Sequence, residues 1–170
     1  MPLGMRQSTR MLNDKDTAEL LRYAFRHSLV SVDAVRAWGD SLIERCDVAP
    51  EWMIDIALAK TRDADAFLGR VPDCDGVPKF VPLLCALLCR RWENDAIPIG
   101  TVRSLGWELH LADLLTETVD GFANWGVTLE VEAESLDEGW VTESDIRDLI
   151  NSLLQPYQPL SGDLPEWVNE

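Results

Sequence analysis

The sequence predicts an all-α fold, a compact bundle or irregular array of helical hairpins with about seven or eight helices around one central buried helix. Three observations lead there. The run 80–92, F-V-P-L-L-C-A-L-L-C-R-R-W, holds ten apolar residues in thirteen, spread over every face of a 3.6-residue helix. A helix that is apolar all round belongs in an interior, and this one is shorter than the ~20 residues needed to span a bilayer. Apolar residues elsewhere recur mostly at spacings of three and four, the helical period. Lastly, one pattern of helix ending, polar link and stapled helix start occurs three times.

Residues 16–27 read as the first helix. Asp16 and Glu19 stand at capping-box spacing, and Leu20, Leu21, Ala24 and Phe25 form the apolar stripe. Ser31 caps the next helix, with Val30 and Val35 as a hydrophobic staple and Val35, Trp38, Leu42 and Cys46 on one buried face. Arg36, Asp40 and Glu44 form an i, i+4 charge ladder on another face. Pro50 suits the start of a third helix packing Trp52, Met53, Ile56 and Leu58, although the alternation 54–58 also fits a short strand. A short helix around 62–70 buries Ala64, Phe67 and Leu68, and 71–79 is a loop with two prolines and Asp75-Gly76.

The combination Trp38-Gly39-Asp40-x-x-Ile43-Glu44 followed by Pro50-x-Trp52-Met53-Ile54-Asp55 resembles a pattern in a family of small all-helical bacterial proteins. The resemblance spans only residues ~20–70. It implies an all-helical bacterial cytoplasmic protein and brings no activity and no catalytic residues.

After the central run, Ile97-Pro98 opens a helix through about residue 115, with Val102, Leu105, Leu109 and Ala112 on one side. Residues 120–126 look turn-like. The stretch 127–133 alternates apolar and polar, which by period alone is a strand. Aligning 29–36, 96–103 and 140–147 gives the other reading. Each segment has an apolar residue, a β-branched residue, a helix-starting Ser, Pro or Thr, three variable places, Val or Ile, then Arg. Residues 127–138 then form the helix ahead of the third link, with Leu129, Ala133 and Leu136 inward and Gly139 as the C′ residue. Helix is the preferred reading. Whether the three segments descend from one duplicated unit stays open. The final helix, 143–154, buries Ile146, Leu149, Ile150 and Leu153, and Pro156, Pro159 and Pro165 forbid another long one. The chain therefore divides into a flexible start over 1–15, a single helical domain over 16–155 and a proline-rich tail, 156–170, packed on it by Trp167.

Charge is distributed unevenly. Residues 1–90 hold 12 basic and 13 acidic side chains, a balance of −1, whereas 91–170 hold 3 and 17, a balance of −14. No Lys or Arg stands between Arg103 and Arg147, against eleven acids. Such a field repels nucleic acid and anionic membranes and attracts basic partners; it also simply solubilises a protein.

Chemistry-bearing motifs are few. Cys46, Cys74, Cys85 and Cys89 include no C-x-x-C pair, and Cys85 and Cys89, four apart on one helix, suit buried thiols better than a disulfide or zinc. His110, Asp113 and Glu117 would share one side of a helix, but the matching ligands of a bundle metal site are missing. Asp73-Cys74-Asp75-Gly76 lacks the spacing of a calcium loop, and no phosphate loop or nucleophile elbow is present. No cofactor is expected. Absence of a leader pattern and of a spanning segment predicts a cytoplasmic protein.

The functional expectation is a non-enzymatic acidic interaction module, in its sharpest form an inhibitor or immunity-type protein covering a basic surface of a partner. Glu130, Glu134, Asp137 and Glu138 are the expected contacts, with Trp125 or Trp140 as aromatic anchor. The alternatives are a helical-repeat scaffold whose acidity only confers solubility, and a metal-assisted enzyme built on His110.

Overall fold

The computed structural model describes residues 12–74, 78–114 and 125–169, which form eight α-helices and no strand. In order these are α1 (Asp14–Arg26), α2 (Val32–Ile43), α3 (Glu51–Ala57), α4 (Ala64–Leu68), α5 (Val81–Glu93), α6 (Ile99–Leu111), α7 (Trp125–Asp137) and α8 (Glu143–Leu154). Two 3-10 segments follow, Gln155–Asp163 and Glu166–Asn169. Among the described residues, no helix is long and apolar enough to cross a membrane. The turn expected around 75–76, residues 1–11 and the segment 115–124 lie outside the described residues.

The interior is built on α5. Five consecutive side chains, Leu84, Cys85, Ala86, Leu87 and Leu88, are completely buried. At 100° per residue they pass round the whole helix, so over this stretch no face of α5 meets water. Helices α1 and α8 and the first 3-10 segment cover it. Arg91 ties the α1–α2 link and the second 3-10 segment to α5 at once. Its Nε donates to the Leu29 carbonyl (2.9 Å) and one Nη to the Val168 carbonyl (3.2 Å). The Trp92 indole N–H donates to Asn151 of α8 at 2.8 Å. Cys85 and Cys89 are packing groups. Burial pushes the Cys85 thiol up to about 12, against a bond from Tyr157 that lowers it, and the Cys89 thiol up to about 11.

The three aligned segments turn out to be one link used three times. Residues 27–31, 94–98 and 138–142 each join two helices in five residues. Each has a left-handed C′ residue in second place, at φ 57° for Ser28, 51° for Asp95 and 78° for Gly139. The C′ N–H donates to the carbonyl two places inside the helix end, and the next N–H to the one before that. The pairs are Ser28 to Phe25 and Leu29 to Ala24, Asp95 to Trp92 and Ala96 to Arg91, Gly139 to Leu136 and Trp140 to Ser135, all 2.8–3.0 Å. This is the Schellman ending, which satisfies carbonyls the helix would otherwise leave bare. Extended Ser31, Pro98 and Thr142 then start the next helix. The staples Val30–Val35 and Ile97–Val102 are buried, and Ile146 is buried with Val141 packed on the core. The arginine that closes each motif reaches a neighbouring element. Arg36 donates to the Ala59 carbonyl (2.7 Å), Arg103 to Glu130 on α7 (2.8 Å), and Arg147 lies over the Trp92 ring (5.1 Å).

Several local expectations are corrected. The cap of α1 is Asn13, whose side chain accepts from the Asp16 N–H (2.7 Å). Asp16 is instead buried and accepts from the Lys79 N–H across the fold (3.0 Å). The strand alternatives at 54–58 and 127–133 give way to α3 and α7. In α3, Met53 and Ile56 face inward, which turns Ile54 and Leu58 out; Leu58, expected to pack, is 72% exposed. Arg36 pairs with Asp33 rather than forming the ladder with Asp40. The short fourth helix covers only Ala64–Leu68, with Phe67 half-buried. Helix α6 stops at Leu111, four residues early, because Asp113 takes φ 56° and ends it with a fourth Schellman pairing, Asp113 to His110 and Leu114 to Leu109.

A chain of ion pairs clamps α1, α4 and α6. Asp65 accepts from Arg22 and Arg26, and Arg26 also donates to Glu108, which bonds His27 Nε2 at 2.6 Å. Burial works against ionisation of Asp65, but the bonds from Arg26 and Arg22 outweigh it and hold its pKa below the ordinary value. A depressed carboxylate stabilises the fold above its unfolded pKa and loses that contribution as pH falls. Asp65→Asn should therefore lower the urea midpoint at pH 7, and the gap from wild type should shrink as pH falls through 3.8 and below, the ordinary value for the group.

Where α2 crosses α3, a Cβ on Gly39 would sit 2.5 Å from the Ala57 nitrogen and 2.7 Å from its Cα. Backbone cannot yield as a flexible side chain can, so only glycine fits this crossing. Gly39→Ala should cost about 1–3 kcal/mol in urea denaturation. Gly139→Ala meets nothing within 4 Å, and its cost of ~1 kcal/mol should come from the left-handed backbone alone.

Candidate partner-binding surface

The acidic half of the sequence becomes the α7–α8 hairpin. Helix α7 has few helix-breaking residues over Leu129–Asp137, and it turns Leu129 fully inward against the core while Leu136 packs at its edge. Gly139 closes it, and Thr142 opens α8 with a complete capping box. The Thr142 hydroxyl accepts from the Asp145 N–H (3.2 Å), and the Asp145 carboxylate accepts from the Thr142 N–H (2.7 Å). The Thr142 hydroxyl and amide together hold the Asp145 carboxyl below the usual carboxylate range.

Not every acid of this half is available to a partner. Glu108 is bound by Arg26 and His27. Glu130, one of the expected contacts, bonds Arg103 at 2.8 Å and is half-buried between α6 and α7. It is a packing residue first. Glu143 pairs with Arg147. In contrast, Glu134, Asp137 and Glu138 are exposed and meet no basic side chain among the described residues. Glu134 and Asp137 sit on the last turn of α7 and Glu138 in the link just after it, at a helix C-terminus that carries a partial negative charge of its own. That clustering of like charge is unfavourable to the isolated chain and favourable to a cation brought from outside.

Trp140 stands beside them, in the link itself, and is 80% exposed. The same place in the first link holds Leu29, which is 1% exposed. A Schellman ending commonly seats that residue against the helix it has just left. Leu29 follows that rule, next to Ala24, whereas Trp140 has Ser135 below it and finds no apolar seat. The second link has a small, exposed Ala96 at this place, so Trp140 is the one large apolar side chain of the three that stands in water. Trp125 begins α7, but its side chain lies outside the described residues.

Other exposed apolar groups escaped the sequence reading. Trp107 and Leu111 on α6 and Val131 on α7 all reach solvent. Their signal was present: each falls on the helix face opposite its buried stripe, 102–105–109 for α6 and 129–136 for α7. The metal candidates do not come together as expected. His110 lies against Trp107 with ring centroids 5.4 Å apart and the rings tilted by 33°, while Asp113 has left the helix for a left-handed backbone. The two do not share a helical face, and Glu117 lies outside the described residues. Among the described residues, no three His, Cys, Asp or Glu side chains are grouped to hold a metal ion.

No family model, curated protein or solved structure matches this chain. Residue roles therefore come from geometry alone, and the Trp38-Gly39-Asp40 pattern has a packing explanation in the α2–α3 crossing.

The hairpin's local order should rest on its cap. Thr142→Ala should cost ~1 kcal/mol in denaturant melts, and Thr142→Ser should recover most of it, since serine restores the same acceptor.

Proposed function

We propose that the chain is a non-enzymatic interaction module whose α7–α8 hairpin docks against a basic surface of a protein partner. The observation behind this reading is Trp140, which stands 80% exposed at a link position that buries leucine elsewhere, beside Glu134, Asp137 and Glu138. An exposed indole close in the chain to unpaired carboxylates offers apolar area and a π face to an arginine or lysine side chain, while the carboxylates desolvate against its charge. The long-range field of a chain of net charge −15 steers such a partner in. The sharper form is an inhibitor or immunity-type protein that covers a basic functional site and so blocks it. A cytoplasmic setting belongs to this reading. The four cysteines carry free thiols, Cys74 among them at the surface, as a reducing compartment permits.

A second reading, a helical-repeat scaffold, has one observation in its favour, the five-residue link used three times. In a scaffold the acids only solubilise, so the two readings part on a charge experiment. Capture of partners from the native host on immobilised protein should be strong at about 0.15 M salt and fall by an order of magnitude or more at about 0.5 M, where the Debye length is roughly 4 Å. Neutralising Glu134→Gln, Asp137→Asn and Glu138→Gln together should slow association with the captured partner about tenfold. Trp140→Ala should raise its dissociation rate by roughly thirtyfold, the scale of an interface hot spot. Binding that ignores both salt and the triple variant would support the scaffold instead.

A further inference from the structure

A cavity of about 360 Å³ lies among the start of α1, one side of α2, α5 and the C-terminal tail. That is the lower end of the range for small-molecule pockets. Its apolar lining comes from all four: Leu12 and Leu20, Trp38, Leu83, then Pro165 and Trp167. The tail's part of this wall is fixed before any ligand arrives. Leu164 and Val168, on either side of it, are buried. The Val168 N–H donates to the Pro165 carbonyl (3.1 Å), and Arg91 holds the Val168 carbonyl (3.2 Å). Such a preformed, mostly apolar hollow is the usual build of a small-molecule site.

The hydroxyls and charged groups of the lining decide which ligand, because each is already engaged within the chain. The Thr17 hydroxyl donates to the Asn13 carbonyl (2.9 Å) and the Ser41 hydroxyl to the Trp38 carbonyl (2.7 Å). Arg45 gives its Nε to the Ser41 carbonyl (3.2 Å) and one Nη to Asp14 Oδ1 (3.1 Å). Asp163 is not free either. An ion of either sign entering here loses its hydration and meets charges already paired. The net charge of −15 draws cations toward the chain, but that field is screened over about 8 Å and supplies no contact inside. A hydrocarbon body bears no such cost and gains by leaving water. Size sets the rest: a cavity of ~150 Å³ holds one benzene, so this one has room for roughly two fused rings or about ten carbons. We propose that the cavity is a binding site for a small uncharged ligand with a hydrocarbon body of that size. Its lining includes no residue of α6, α7 or α8, so this site and the hairpin reading stand or fall separately.

The test titrates the whole chain with three probes that share one ring system and differ in charge: 2-naphthylmethanol, 2-naphthylmethylammonium and 2-naphthoate. Indole N–H signals in proton–nitrogen NMR spectra report the site, with those of Trp38 and Trp167 assigned from Trp38→Phe and Trp167→Phe. The neutral probe should move these two signals with a Kd below about 1 mM. Each ion should bind at least about tenfold more weakly, since its charge must be stripped of water without a new partner. Filling the cavity by Ser41→Phe, or by Leu83→Trp if the first variant unfolds, should abolish the shifts while the other indole signals stay in place. Equal or tighter binding of either ion would overturn the ligand class. Shifts confined to other tryptophans, shifts that survive filling, or none up to about 1 mM of the neutral probe would overturn the site.

Discussion

Burying α5 on every side is the constraint from which the rest of this fold follows. A helix with Leu84 to Leu88 all out of water needs covers around its whole circumference, and a small domain has few elements to give. Here α1 and α8 take two sides, and the 3-10 segment Gln155–Asp163 packs closely along another. Proline made that last cover possible. With Pro156 and Pro159 in place the chain leaves α-helical geometry just after Leu154 and can be laid along α5 as a strap, with Tyr157 buried beneath it. Arg91 then joins the Val168 carbonyl of the second 3-10 segment, beyond the strap, to the Leu29 carbonyl of the first link, two groups that would otherwise lose solvent with little in return.

The repeated link shows how one backbone solution tolerates different side chains. Its left-handed residue is Ser, Asp or Gly, and its helix start is Ser, Pro or Thr. What stays constant is the pair of hydrogen bonds ending one helix and the apolar pair stapling the next. The freedom left over is spent differently in each copy. The first link places leucine in the core, and the third places tryptophan in water. With the backbone geometry the same, the difference lies in the side chains and in what each finds to pack against, not in the backbone.

Much of this was legible in the sequence. The all-round apolar run fixed α5, the staple of Val30 and Val35 fixed the start of α2, and Gly139 was identified as the C′ residue that makes 127–138 helical. Expectations failed where a side chain met a distant partner. Asp16 has good capping spacing, but Lys79, 63 residues away, claims its carboxylate and leaves the cap to Asn13. Glu130 reads as one more surface acid until Arg103 is placed opposite it. Asp113 reads as a helical residue because nothing local forbids it, yet it carries the backbone inversion that ends α6. At the surface, charge was readable as a sum and not as an arrangement, since only the fold shows which carboxylates are already bound.

The bond between Arg91 and the Val168 carbonyl also has a meaning in time. A chain made from its N-terminus presents α5 about 75 residues before residue 168 exists, a delay of roughly 4–15 s at ordinary rates of synthesis. During that interval the most apolar stretch of the molecule has α1 beside it but lacks α8 and the strap. The nascent protein thus carries an unfinished interior for seconds, a vulnerability absent from the completed fold. Only α1, with its buried Leu20, Leu21 and Ala24, gives it partial shelter meanwhile.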